Sequence, residues 1–129
     1  MEKVAVQPQQ GVLVVVPDPE LRRSVEFALE AEGFHVDSYA LLTAALRSGG
    51  VEHCACAIVD ENAVSERSGI GNRLELIPQP VILLVDTLRS VPQTPHVTIL
   101  TKPLLGRGLV DTVVALVGEP PTPGLRSSP

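Results

Sequence analysis

Five short apolar runs, each fenced by Pro, Gly or Asp, constrain this chain more than any other feature. They are Val12–Val16, Phe34–Ser38, Cys54–Asp60, Val81–Val85 and Val97–Thr101. Several are rich in β-branched residues. Runs of this kind read as strands, and the most continuous as strands buried on both faces. Amphipathic stretches fill the gaps between them. The clearest runs from Pro19 to Gly33: Asp18 is placed to cap its N-terminus, Pro19 takes the first helical position and Glu20 suits the positive helix end. Leu21, Val25, Ala28 and Leu29 form one apolar stripe, with Arg22, Arg23, Glu26 and Glu30 outside it. Gly33 ends the helix.

A shorter helix is expected over Leu41–Arg47, ending at Gly49-Gly50, and a stub over Asn72–Ile77. A last helix is expected over Leu104–Val117, weakened in its first turns by Gly106 and Gly108. Pro92 and Pro95 interrupt Asp86–His96, and proline inside a helix costs about 3 kcal/mol, so a loop or one turn is expected there. The divisions are 1–10 as a disordered lead, 11–117 as the folded domain and 118–129 as a Pro-rich flexible tail.

Strands alternating with helices imply βαβ units and a parallel sheet with helices on both faces. In such open sheets the functional site lies at the carboxyl ends of the strands. That directs attention to Val16-Pro17-Asp18, Asp60-Glu61-Asn62, Val85-Asp86-Thr87 and Thr101-Lys102-Pro103. Asp60 and Lys102 are the tip residues of greatest chemical interest.

Composition removes several function classes. The formal charge is −5, and the only lysines are Lys3 and Lys102. A phosphate-backbone footprint needs clustered basic residues, so nucleic-acid binding is not expected. No apolar run approaches the ~20 residues that span a bilayer. Met1-Glu2-Lys3 leads into a Gln/Pro stretch without an apolar export segment, and a cytoplasmic location is expected. Aromatic residues are limited to Phe27, Phe34 and Tyr39, which disfavours recognition by stacking on bases or sugars.

His53-Cys54-Ala55-Cys56 has donors that suit Zn²⁺. Alternation instead places Cys54, Cys56 and Ile58 on one face of a buried strand, where free cysteine is common, and no fourth ligand stands at a useful spacing. The core reading is preferred. His35 and His96 are expected at the surface beside strands.

Together these residues resemble the receiver domain of response regulators in two-component signalling. Val12-Leu13-Val14-Val15, Asp18-Pro19-Glu20-Leu21-Arg22-Arg23 and Glu30-Ala31-Glu32-Gly33-Phe34 look like its start. Ala57-Ile58-Val59-Asp60 looks like its third strand, ending in the phosphoacceptor aspartate. Pro80–Leu84 looks like the fourth strand, and Leu100-Thr101-Lys102-Pro103-Leu104 like the fifth with its Lys-Pro. The resemblance covers residues 11–117 and leans towards the nitrogen-fixation and nodulation-type regulators. It implies an α/β, flavodoxin-like, doubly wound five-stranded parallel sheet of order 2-1-3-4-5. The third and fourth helices are expected to be shortened or missing, because the segments that hold them are short. It also implies a cis bond before Pro103.

The departures from the family pattern bear on function. The family's acidic pair at the end of strand 1, which helps hold Mg²⁺, is matched by Val16 and Pro17. Its Ser or Thr at the end of strand 4 is matched by Val85, and its aromatic switch residue by Ile99. Mg²⁺ is usually held by one or two carboxylates together with substrate phosphate, and Val16 and Pro17 supply no side-chain oxygen. No metal or cofactor is therefore expected, Mg²⁺ entering only if the chain is competent for phosphorylation. Asp18 and Glu61 are the carboxylates nearest to standing in as metal ligands.

Asp60 is the phosphoacceptor candidate and Lys102 its companion. The reading preferred for both is structural: an acid at a strand end braced by a lysine. No nucleophile–base pair for enzymatic catalysis is found. The expectation is a non-enzymatic, degenerate receiver-like module that acts by protein–protein contact, its partner a signalling protein such as a histidine kinase or regulator. Two alternatives stay open: a competent receiver phosphorylated on Asp60 by a histidine kinase, and a small-ligand-binding doubly wound domain. The latter lacks a Gly-rich phosphate loop after strand 1. Family resemblance also raises a homodimer through the last strand and helix, with Ile99, Val110 and Val114 at the surface. Phe27, off the core stripe of its helix, is a second contact candidate.

Overall fold

The computed structural model describes residues 11–64, 74, 76, 77, 79–86, 96–102 and 107–118. Five parallel strands form one sheet in the order β2-β1-β3-β4-β5: β1 (Gly11–Val15), β2 (His35–Tyr39), β3 (Cys56–Asp60), β4 (Val81–Val85) and β5 (Val97–Thr101). Three α-helices are present among the described residues: α1 (Pro19–Ala31), α2 (Leu42–Ser48) and α3 (Gly108–Val117). This is the flavodoxin-like order, and the segments expected to hold shortened or missing third and fourth helices lie largely outside the described residues.

The alternation of side chains along each strand divides the core into two layers. Leu13, Val15, Ala57, Val59, Val81, Leu83 and Val85 face α2, which contributes Leu42 and Ala45. Val12, Val14, Val16, Cys56, Ile58, Ile82 and Leu84 face α1 and α3, which contribute Val25, Leu29, Leu109, Val110 and Val113. Strands β3 and β4 are buried along their whole length, which is why they read as continuous apolar runs.

Helix α1 shows how local chemistry sets an element's ends. The Asp18 carboxylate accepts from the Glu20 N–H at 3.0 Å, and Pro19 needs no partner for a missing N–H. At the other end the Phe34 N–H reaches Leu29 O (3.1 Å) and the Gly33 N–H reaches Glu30 O (3.0 Å), with Gly33 at φ 101°. This is a Schellman closure, and Leu29 and Phe34 share the same buried layer. Because the Phe34 N–H belongs to the helix, β2 begins one residue later than the apolar run suggests, with His35 beside Gly11.

Two further expectations need correction. Strand β3 starts at Cys56, not Cys54. Cys54 sits before it with its thiol donating to Val51 O (3.4 Å), and it packs in the α2 layer, while Cys56 faces the α1 and α3 layer. The two cysteines therefore lie on opposite sides of the sheet. Val110, expected at an interaction surface, is buried at 5% exposure against the sheet.

His35 is exposed, as expected. His96 is half-buried, its Nε2 lying 2.9 Å from Ile77 O. Leu74 and Ile77, from the expected helix stub, are both buried, while half of that stub lies outside the described residues. So do residues 1–10 and 119–129, Pro103 with its expected cis bond, and most of Asp86–His96.

Candidate functional site

The carboxyl ends of β3, β4 and β5 bring three charged side chains together. Asp60, the last residue of β3, is 2% exposed. Its Oδ1 accepts from the Asn62 N–H at 2.8 Å, an Asx-type turn that starts the 3-10 turn Glu61–Ala63. Its Oδ2 accepts from Lys102 Nζ, also at 2.8 Å. Lys102 follows β5 directly, and its backbone N–H donates to Val85 O at 2.9 Å, which anchors its stem beside β4. The same ammonium lies 2.8 Å from Asp86 Oδ1.

Asp60 and Lys102, expected as an acid braced by a lysine, meet in the structure. Asp86, expected only as part of the β4 tip, is a third member. The only available signal was position, since Asp86 follows β4 as Lys102 follows β5. Glu61 stands elsewhere than a metal-ligand reading requires. It is 2% exposed, and its Oε2 accepts from the Asp86 N–H at 2.8 Å. Asn62 adds a contact from Nδ2 to Asp86 Oδ2 at 3.2 Å. Side chains from the β3 tip thus hold the β4 tip by its backbone and by its carboxylate.

At the β1 tip Val16 is fully buried and Pro17 half-buried. Their carbonyls are met by Arg22 from α1, whose Nη1 donates to Val16 O at 2.9 Å and reaches Pro17 O at 3.4 Å. Periodicity placed Arg22 outside the apolar stripe, but its long stem turns back along the first helical turn.

Two forces oppose each other on Lys102. Burial works to lower its pKa, but hydrogen bonds and charge from Asp60 and Asp86 together outweigh it and raise the pKa above the ordinary lysine value. Lys102 is therefore a fixed cation at neutral pH. At the thiols burial is the largest cause, pushing Cys54 up to about 11 and Cys56 up to about 12, with Asp37 adding to the rise at Cys54 and Cys54 to that at Cys56. Both remain neutral thiols, unsuited to metal ligation.

The donor set can be weighed against the divalent ion that the family resemblance implies. Val16 and Pro17 give no side-chain oxygen. Asp18 caps α1, Asp60 is engaged at both oxygens, and Glu61 holds the Asp86 amide. Among the described residues no group of three or more His, Cys, Asp or Glu side chains is arranged to hold a metal ion.

Of the surface candidates, Ile99 and Val114 are half-buried, and they pack on opposite faces of the sheet. Phe27 is 74% exposed on α1, beside a shallow cleft shared with Pro19, Glu20, Arg23 and Ser24. Among the described residues no helix is long and apolar enough to cross a membrane.

No family model matches the chain. The transcriptional regulator protein FixT of Rhizobium meliloti (strain 1021) is 36% identical over 107 residues, spanning 82% of this chain and 91% of FixT. Among solved structures, the response regulator StyR superposes with a TM-score of 0.68 at 22% identity, covering 83% of this chain. The chain spans 58% of StyR's own length. A receiver domain protein from Bacillus halodurans gives a TM-score of 0.66 at 16% identity, covering 87% of this chain and 97% of that one. A receiver protein from Burkholderia phymatum gives 0.61 at 22% identity, covering 88% and 98%. The three solved structures each cover 83% to 88% of this chain. With FixT 36% identical to it over 82% of its length, the chain belongs to the family of that transcriptional regulator, and it has the fold of response-regulator receiver domains.

Proposed function

We propose that this chain is a receiver-type signalling module that acts by protein contact and not by efficient phosphorylation of Asp60. The observation that carries this reading is the setting of the Asp60 carboxylate: Lys102 on one oxygen, the Asn62 N–H on the other, and Val16 and Pro17 in place of acidic neighbours at the β1 tip. Phosphorylation of an aspartate proceeds by in-line attack of a carboxylate on a phosphoryl group whose oxygens must be neutralised. Mg²⁺ commonly supplies much of that neutralisation. Loss of one preorganised donor lowers such rates by about 10²–10³. Here the β1 tip has Val16 and Pro17, and the β4 tip has Val85. Lys102 and Arg22 instead supply cations of the chain's own, fixed by the fold.

In this reading the module works in the cytoplasm without a cofactor, on a signalling protein such as a histidine kinase or a regulator. Its output is binding, not catalysis. The description of FixT as a transcriptional regulator supports a role in a control pathway. The test is intact mass after incubation with a small phosphodonor and Mg²⁺, beside an Asp60→Asn control. The expected result is no mass gain from folded protein. A gain of one phosphoryl group, absent from the control, would make Asp60 a working phosphoacceptor and overturn the proposal.

A further inference from the structure

The tip of β4 meets an anion that the chain itself supplies. We propose that the main-chain N–H of Asp86 forms an oxyanion position at the strand tips and that the Glu61 carboxylate is its resident ligand. A free carboxylate of formate size takes the same position when that side chain is removed.

The ladder between β3 and β4 accounts for this position. The Ala57 N–H donates to Pro80 O, with Ala57 beside Val81. Rungs of a parallel ladder recur at every second residue, so the Asp86 N–H is due to meet the main-chain oxygen of Glu61. The chain instead leaves the strand at Asp60 and enters the 3-10 turn Glu61–Ala63. Glu61 O then accepts from the Val64 N–H at 3.4 Å. The Glu61 side chain takes over the missing rung, its Oε2 accepting from the Asp86 N–H at 2.8 Å.

Burial and charge fit an occupied ligand position. Glu61 is 2% exposed and ranks among the largest fully buried side chains. Glutamate is almost never buried to this degree without a partner, and a carboxylate on a backbone N–H makes the stronger, charge-assisted kind of bond. The Lys102 ammonium, 2.8 Å from both Asp60 Oδ2 and Asp86 Oδ1, sets a positive charge at the same tips. A tethered, positioned carboxylate has an effective concentration far above that of a free ion, so Glu61 keeps outside oxyanions from this N–H. Truncation at Cβ opens room for one carboxyl group, and formate entering there restores the charge that was lost. Occupancy of this position by Glu61 and phosphorylation of Asp60 are separate events: the phosphodonor mass test decides the second and leaves the first untouched.

Thermal unfolding of Glu61→Ala in formate, and in chloride of equal ionic strength, tests the proposal, with the parent and Glu61→Gln treated alike. Formate is expected to raise the melting temperature of Glu61→Ala saturably, by several degrees. The parent and Glu61→Gln should respond equally to the two salts, because each has an accepting oxygen already in place. A Glu61→Ala variant that does not distinguish formate from chloride overturns the proposal, and so does the same formate effect in all three proteins. Amide hydrogen exchange in the parent covers an alanine variant that fails to fold. There the Asp86 amide is expected to exchange about tenfold or more slowly than an open amide of the same local sequence. Exchange at the open rate overturns the proposal.

Discussion

Lys102 Nζ stands 2.8 Å from Asp60 Oδ2 and 2.8 Å from Asp86 Oδ1, so one ammonium ties together the tips of β3, β4 and β5. The three partners are unequally buried: Asp60 shows 2% of its side chain, Lys102 18% and Asp86 53%. Removing the lysine leaves a buried carboxylate with the Asn62 amide and no cation. Neutralising Asp60 leaves the lysine with Asp86 and with solvent. The two changes should therefore differ in effect. Lys102→Met is expected to lose about 3 kcal/mol, the lower end for breaking a buried pair, and Asp60→Asn about 1 kcal/mol. Urea unfolding midpoints at constant slope measure both. Equal losses would mean that Asp60 is no more dependent on the cation than an exposed acid.

The same cluster predicts a response to alkali. Burial alone would lower the Lys102 pKa, but the hydrogen bonds and charges of Asp60 and Asp86 prevail and raise it. A lysine whose folded pKa exceeds its unfolded value contributes stability that is fully present below the unfolded value, near 10.4. That contribution is lost as pH rises through the folded value. Thermal melts from neutral pH upward should show stability falling above about pH 10. The fall should be shallower in Lys102→Met, which has no ammonium to titrate. Parallel curves for the two proteins would remove Lys102 as its cause.

How much of this was readable in the sequence depends on the range of the interaction concerned. Strands β3 and β4 were legible because both faces are buried and the apolar run has no polar break. The start of α1 was legible because Asp18, Pro19 and Glu20 act within one turn. Asp60 and Lys102 were legible as a pair through family resemblance, since 42 positions separate them. Asp86 was not, because its role depends on the joint reach of Lys102, Glu61 and Asn62 across two strand tips. Cys54 was misplaced because alternation was extended two residues before the true start of the strand, to the residue that caps the 3-10 turn at Gly50–His53. Arg22 was assigned by helical period to the outside of α1, yet a long side chain in the first turn can reach the carbonyls that precede it.

Asp18 provides a local test of helix capping. Its carboxylate accepts from the Glu20 N–H in an exposed setting. Asp18→Ala is expected to lower stability by about 1 kcal/mol, while Asp18→Asn, which keeps the accepting oxygen, should change it little. Thermal unfolding of both variants makes the comparison. An alanine variant as stable as the parent would mean that Pro19 sets the start of the helix without the cap.

Cys54 and Cys56 should be chemically silent in the folded state. Both are buried, and burial holds their thiol pKa values at about 11 and about 12. The thiolate is the reactive form, so neither access nor ionisation favours attack at neutral pH. A colorimetric disulfide reagent is expected to find almost no thiol in native protein and both thiols in denaturant. Rapid reaction of one cysteine under native conditions would show that the corresponding face of the sheet opens readily.

Divalent cations should leave stability unchanged. A ligand at a hundred times its dissociation constant adds about 2.7 kcal/mol to a fold, which moves the melting temperature of a domain this size by several degrees. Here the carboxylates of Asp18, Asp60 and Glu61 already accept from the Glu20 amide, from Lys102 with the Asn62 amide, and from the Asp86 amide. A cation at Asp60 or Glu61 would compete with Lys102 and the Asp86 amide for those oxygens. The expected melting temperature is therefore the same in millimolar Mg²⁺ as in a chelator. Lys102→Met, which leaves the Asp60 Oδ2 without its ammonium, is the variant in which a Mg²⁺ response should first emerge. A rise in the parent that Asp60→Asn abolishes would place the ion at this carboxylate and count against its closure by Lys102.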